Sequence, residues 1–154
     1  MNTWVRPASL GFLDGATTQL AMIAFAAGAL PQHVLMIGLA GWLAGSFSMG
    51  INEWVSVSDQ NRAEGTTYSP SAAAVASFLA FSLGAVPPLI PVAVGAPPVL
   101  GALVALVCLF ASGAVLSRFT GRSWHLAGAR QVIVATAGCA AVYGIGQLLG
   151  TVPL

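Results

Sequence analysis

"SMGINEWVSVSDQ" occupies positions 48–60. It begins inside an apolar run and ends in hydroxyls, an amide and a carboxylate. The place where it turns polar marks the inner end of a membrane span, and the rest of the chain divides around that boundary. The 154 residues are 57% hydrophobic and 6% charged, with a mean hydropathy of +0.88. A soluble domain carries about a quarter charged residues. A chain this poor in charge cannot cover its own surface with polar groups, so it belongs in a bilayer.

Five stretches approach the roughly 20 apolar residues that a helix needs to cross hydrocarbon. They run over about 9–30, from near 34 past 52, and over 71–94, 97–117 and 126–149. The breaks between them are "LPQH" (30–33), "SDQNRAEGTTYSP" (58–70), "VGAPP" (94–98) and "RFTGRSWH" (118–125). The expected fold is an all-α integral membrane protein of five transmembrane helices, one domain over residues 1–154. Asp14 interrupts the first run, which also exceeds the 7–15 residues typical of a signal-peptide core, so this segment is expected to stay as a span.

Arginine positions set the orientation. Arg6 precedes span one, Arg62 lies between spans two and three, Arg118 and Arg122 lie between spans four and five, and Arg130 opens span five. With five spans all of these fall on one side. The positive-inside rule then predicts a cytosolic N-terminus and a C-terminus outside. Lysine is absent while Ala and Gly abound. Such a composition fits a GC-rich bacterial genome and hence a bacterial inner (plasma) membrane. The formal net charge of +1 says nothing about nucleic acid, and with no basic patch none is expected as a partner.

Cys108 and Cys139 lie in apolar runs without metal-ligand spacing and read as buried small side chains. "GFLDG" (11–15), "GWLAG" (41–45) and "GIGQLLG" (144–150) carry Gly-x-x-x-Gly spacing, which lets helices approach closely in lipid. In "VPPLIP" (86–91) three prolines remove backbone donors and predict a kink or break in span three, or a plain helix end near the outer interface.

The carboxylates carry the chemistry. Asp59 and Glu64 fall in the expected inner loop and read as solvated charge. Asp14 and Glu53 lie within or at the end of spans, where a carboxylate costs about 2.5–3.5 kcal/mol on the lenient insertion scale. Helical spacing groups neutral ligands around them. Met49, Glu53 and Ser56 stand at i, i+4 and i+7, with Asn52 adjacent; Asp14 has Thr17 and Thr18 at i+3 and i+4. Oxygen ligands suit hard cations, and a thioether beside them favours softer transition metals such as Fe²⁺ or Mn²⁺.

These stretches resemble the vacuolar iron transporter family. "SFSMGINEWVSVSDQNRAE" (46–64) is similar to the family signature at the end of span two, "LGFLDGATT" (10–18) to its span-one Asp-Gly motif, and "PPLIP" (87–91) to its span-three proline pattern. "GRSWHLAGARQVIVATAGCAAVYGIGQLLG" (121–150) resembles its last helix. The resemblance implies a five-helix homodimer that exports Fe²⁺, and sometimes Mn²⁺, from the cytosol in exchange for protons. It aligns Asp14 and Met49 with the ion pathway and Glu53 with the glutamate of the motif. The metal is then cargo, and no resident cofactor is implied.

Two departures stand out. Better-known members carry a Glu-rich cytosolic insert between spans two and three, where this chain has about a dozen residues. Metal gathering would fall to Glu53, Asp59 and Glu64 at the inner mouth, with Asp59, Glu53 and Met49 stepping inward from water. "DGATTQLAM" (14–22) also places Gln19 where many relatives are more apolar, adding a ligand candidate. The resemblance, together with the small residues flanking Asp14, predicts a dimer with span one near its two-fold axis. A non-transporting membrane scaffold or assembly partner is the competing expectation, with Asp14 and Glu53 in interhelical hydrogen bonds. An intramembrane enzyme is not expected: His33 and His125 lie in turns on opposite sides, and no nucleophile–base pair is evident.

Overall fold

The computed structural model describes residues 5–121 and 123–151. Side chains of residues 5–7 and 120 are outside the described set, as is all of Arg122. The orientation role expected of the Arg6 side chain and of Arg122 therefore lies outside it. Five helices make up the described chain: α1 (Val5–Ala29), α2 (Val34–Glu64), α3 (Pro70–Ala93), α4 (Pro98–Thr120) and α5 (Trp124–Gly150). A single 3₁₀ turn, Pro31–His33, separates α1 from α2, and no strand occurs among the described residues. All five helices are long and apolar enough to cross a membrane.

Their ends follow local chemistry. Pro31, Pro70 and Pro98 sit in first turns, where the missing N–H costs nothing. The Ser69 hydroxyl accepts from the Ala72 N–H at 3.3 Å. Gly65 and Gly121 adopt left-handed φ values of 65° and 67° and stop α2 and α4, a conformation that would strain any side chain.

α2 overturns one expectation. Residues 58–64 are not a loop but the last two turns of a 31-residue helix. At 1.5 Å per residue it is about 46 Å long, against a hydrocarbon layer of about 30 Å. Polarity alone does not end a helix. Residues 53–64 contain neither Gly nor Pro, and surface pairs support the helix: Gln60 Nε2 donates to Glu64 at 3.0 Å, and Asp59 meets Arg62 at 3.6 Å. The helix stops at the first glycine, and the connection shrinks to residues 65–69.

Of the two expectations for residues 86–91, the plain helix end holds and the break does not. α3 stays helical through Pro87, Pro88 and Pro91 and ends at Ala93. The prolines fall in its last two turns, where each removes the N–H that would bond the carbonyl four residues back while keeping a helical φ.

α1 is the hub. It touches each of the other four helices, while α2, α3, α4 and α5 pack in that order as an arc around it. The arc is open, because α2 and α5 share no substantial contact. Small residues allow the close approaches. A Cβ on Gly15 would collide with the Phe81 backbone of α3, and one on Gly84 with the Phe12 backbone of α1. Gly28 and Gly146 do the same for α1 and α5, and Gly113 and Gly128 for α4 and α5. The "GFLDG" glycines serve contact with α3 within the protomer. Ala16, Leu20, Ala105 and Leu109 form a core cluster, with Cys108 and Cys139 packed against it as the apolar side chains expected.

Candidate functional site

Asp14 lies about ten residues inside α1 and is exposed in the protomer. Leu10 and Thr17, at i−4 and i+3, are exposed beside it. Since the arc around α1 does not close, this stripe is the uncovered side of the hub. Thr18 flanks it, half-buried. Gln19 is elsewhere: five residues on, about 140° around the helix, it is fully buried. Its Nε2 donates to the Gly38 carbonyl at 2.9 Å, tying α1 to α2, while its Oε1 has no partner among the described residues. Gln19 is therefore a packing tie in this conformation, not a neighbour of Asp14.

On α2, Met49 and Glu53 are half-buried, whereas Asn52, Ser56 and Asp59 are exposed. Asn52 bonds back to Ser48 at 3.4 Å, not forward to Ser56. Depth follows from the packing of the two antiparallel helices. Gly41 of α2 rests against the Met22 side chain of α1. Asp14 is eight residues from Met22, and Met49 is eight from Gly41, both toward the same end of the bundle. At 1.5 Å per residue each lies about 12 Å from that contact, so Asp14 and Met49 share one level. Glu53 stands about 6 Å nearer the end, and Asp59 about 15 Å nearer. By depth the four residues step from the exposed tip of α2 toward the middle of the bundle, although Asp59 lies about 120° around α2 from Glu53.

One chain does not close a coordination shell. Among the described residues no group of three His, Cys, Asp or Glu side chains is placed to hold a metal ion. What one chain does provide is a stiff wall behind these residues. Trp42 Nε1 donates to Ser82 Oγ at 3.1 Å, and the Ser46 and Ser82 hydroxyls are 3.0 Å apart, joining α2 to α3 one turn before Met49. Phe81, almost fully buried, lays its ring on Gly45. Sequence reading missed this wall. Its signal was present in a Trp and two serines inside apolar runs, since such groups in hydrocarbon need partners.

At the tip, Asn61 organises the α2–α3 connection. Its Oδ1 accepts from Thr66 Oγ1 at 2.9 Å and from the Tyr68 N–H at 3.0 Å, and its Nδ2 donates to the Tyr68 carbonyl at 2.8 Å. An Asn ahead of Gly-Thr-Thr is a turn-forming signal that went unread in the sequence.

Comparison with known proteins adds an independent line. The chain matches the VIT family over residues 5–67 and 61–147. It is similar to Vacuolar iron transporter homolog 1 of Arabidopsis thaliana, at 35% identity over 96% of this chain and 84% of that protein. Vacuolar iron transporter homolog 1 of Oryza sativa subsp. japonica is 34% identical over 96% of this chain and 74% of its own length. Vacuolar iron transporter homolog 4 of Arabidopsis thaliana is 40% identical over a shorter match, 58% of this chain and 54% of that protein. The shorter match thus spans about half of its relative, whereas the two longer ones cover most of theirs.

Proposed function

The chain belongs to the VIT family, and from that premise we propose that it is a transporter of divalent transition-metal ions. Its cargo is Fe²⁺ or Mn²⁺, moved out of the cytosol in exchange for protons by a homodimer. Residues 1–154 act as one transmembrane unit with the N-terminus cytosolic, an orientation supported by the arginines at a single end of the bundle. The relatives are plant proteins whose names say vacuolar, so the assignment to a bacterial plasma membrane draws on composition alone.

One observation carries the proposal: an ionisable residue deep in an apolar helix, on the uncovered stripe of the protomer, level with a thioether. A carboxylate facing lipid at such depth is costly. A second copy across the stripe removes that cost and supplies a second Asp14 and Met49. Hydrated metal then meets Asp59 and Glu53 first, sheds water stepwise, and reaches a site of mixed carboxylate and thioether donors. Carboxylates bind metal in the ionised form, so loading releases a proton and unloading takes one up. The same group can thus exchange metal on one side for a proton on the other.

The test uses purified protein in liposomes with an acidic lumen and a trapped metal-sensing dye. Fe²⁺ or Mn²⁺ entry coupled to proton exit is expected for the wild type, and neither for Asp14→Asn, which keeps the shape and helical content. Wild-type entry with an unchanged pH profile in Asp14→Asn would remove Asp14 from the path. No entry by the wild type would favour the scaffold.

A further inference from the structure

Charge is segregated along the chain. Beyond residue 64 there is no Asp or Glu, yet three of the five arginines fall at 118, 122 and 130. The only ion pair among the described residues joins Arg62 to Asp59 on α2. Arg118 is exposed and has no carboxylate partner there.

Arg118 also lines a cavity. The last turns of α4 and the start of α5 border an open cleft of about 560 Å³, lined by Ala114, Val115, Ser117, Arg118, Ser123 and Trp124. Ala114 and Val115 form the apolar side toward the bundle middle. Arg118, Ser123 and the Trp124 indole lie at the rim, where an apolar run gives way to polar residues. Trp124 is held edge-on against Phe110 at a ring separation of 6.1 Å. The Ser123 hydroxyl does not cap α5, so the backbone N–H groups of its first turn stay available beside the cleft.

We propose that this cleft binds the phosphate of an anionic phospholipid headgroup, with Arg118 as its principal ligand. Guanidinium–phosphate contact is charge-assisted and directional. The missing counter-charge, the interfacial depth marked by the Trp, and the apolar side that can take up glycerol and upper acyl carbons together select a lipid over a free anion. Arginines that only set orientation would need no cleft. The proposal rests on the chain spanning a membrane, and not on metal transport.

The full chain in detergent is titrated separately with phosphatidylglycerol, phosphatidylcholine and inorganic phosphate. Bound lipid is read by native mass spectrometry, without metal. Phosphatidylglycerol is expected to bind at least about fivefold more tightly than phosphatidylcholine, the scale of one arginine near an anionic surface. Arg118→Gln should erase that preference and Arg118→Lys keep part of it. Ser123→Asp is the folding-safe variant: Asp is as favourable as Ser at a helix N-cap, it places a carboxylate beside the cleft, and it too should lower phosphatidylglycerol binding. Equal binding of the two lipids would overturn the proposal, as would wild-type preference in either Arg118→Gln or Ser123→Asp. Displacement of the lipid by inorganic phosphate at matched concentration would overturn the lipid assignment.

Discussion

The α1–α2 pair and the α4–α5 hairpin are built from the same alphabet of Ala, Gly, Leu and Val, yet they differ in what they spend their polar residues on. All four carboxylates lie on α1 and α2, and none lies on α4 or α5. α1 is hemmed in by every other helix, whereas the apolar stretch of α5 is only 6% buried within the protomer. The hairpin forms one end of the arc, with α5 largely exposed. The pair carries ionisable groups into the apolar layer, and α1 does so on the one stripe its neighbours leave bare.

That contrast can be broken most sharply at Asp14. Asp14→Asn should abolish proton release on metal loading, measured by a pH indicator on the purified protein, while a hairpin change such as Cys139→Ser leaves it intact. Equal loss from both would mean that the chemistry is not confined to the pair.

Next comes one substitution with opposite signs. Gly15→Ala puts a methyl group into the Phe81 backbone and should destabilise the protein by about 1–3 kcal/mol, the usual cost of overpacking. Gly138→Ala on α5 meets nothing within 4 Å and should stabilise by up to about 1 kcal/mol through helix propensity. Thermal unfolding in detergent reads both, and a matching sign would contradict the hub arrangement.

A smaller effect is expected from Met49→Ala. Loss of the thioether should slow Fe²⁺ transport more than Mn²⁺ transport, because the remaining oxygen donors are harder. Equal slowing of both metals in the liposome assay would reduce Met49 to packing.

The smallest effect concerns the tip of α2. Asp59 and Arg62 are 65% and 84% exposed, so breaking their pair with Asp59→Asn should change stability by less than about 1 kcal/mol. Any larger change would show that the tip is buried by something beyond the protomer.

Spans were legible in the sequence because hydropathy and helix breakers coincide there. "VGAPP" and "LPQH" combine polarity or turns with Pro, and the helices end where expected. At residues 58–64 the two signals separate: the segment is polar but contains no breaker, and the helix continues into water. Asp14 and Glu53 were legible as candidates because charge in an apolar run is rare, and Met49 because it stands one helical turn before Glu53. Which way each side chain faces was not. The exposure of Asp14 and the burial of Gln19, five residues apart, depend on which neighbours surround α1. Likewise, Gly-x-x-x-Gly spacing announces a close contact without naming the partner; Gly11 and Gly15 meet α3.

The three hydrogen bonds around Asn61 tie the end of α2 to the 65–69 connection that leads into α3. Both helices also share the Trp42–Ser82–Ser46 brace deeper in the bundle. Two fastenings along one seam leave little freedom for the helices to slide apart. Rocking that opens or closes the inner mouth would then carry α2 and α3 together, with the pivots at the short joints Pro31–His33 and 94–97. Spin labels at Ser58 and Ala72 should keep their separation with and without metal, whereas a pair spanning α1 and α2 should not.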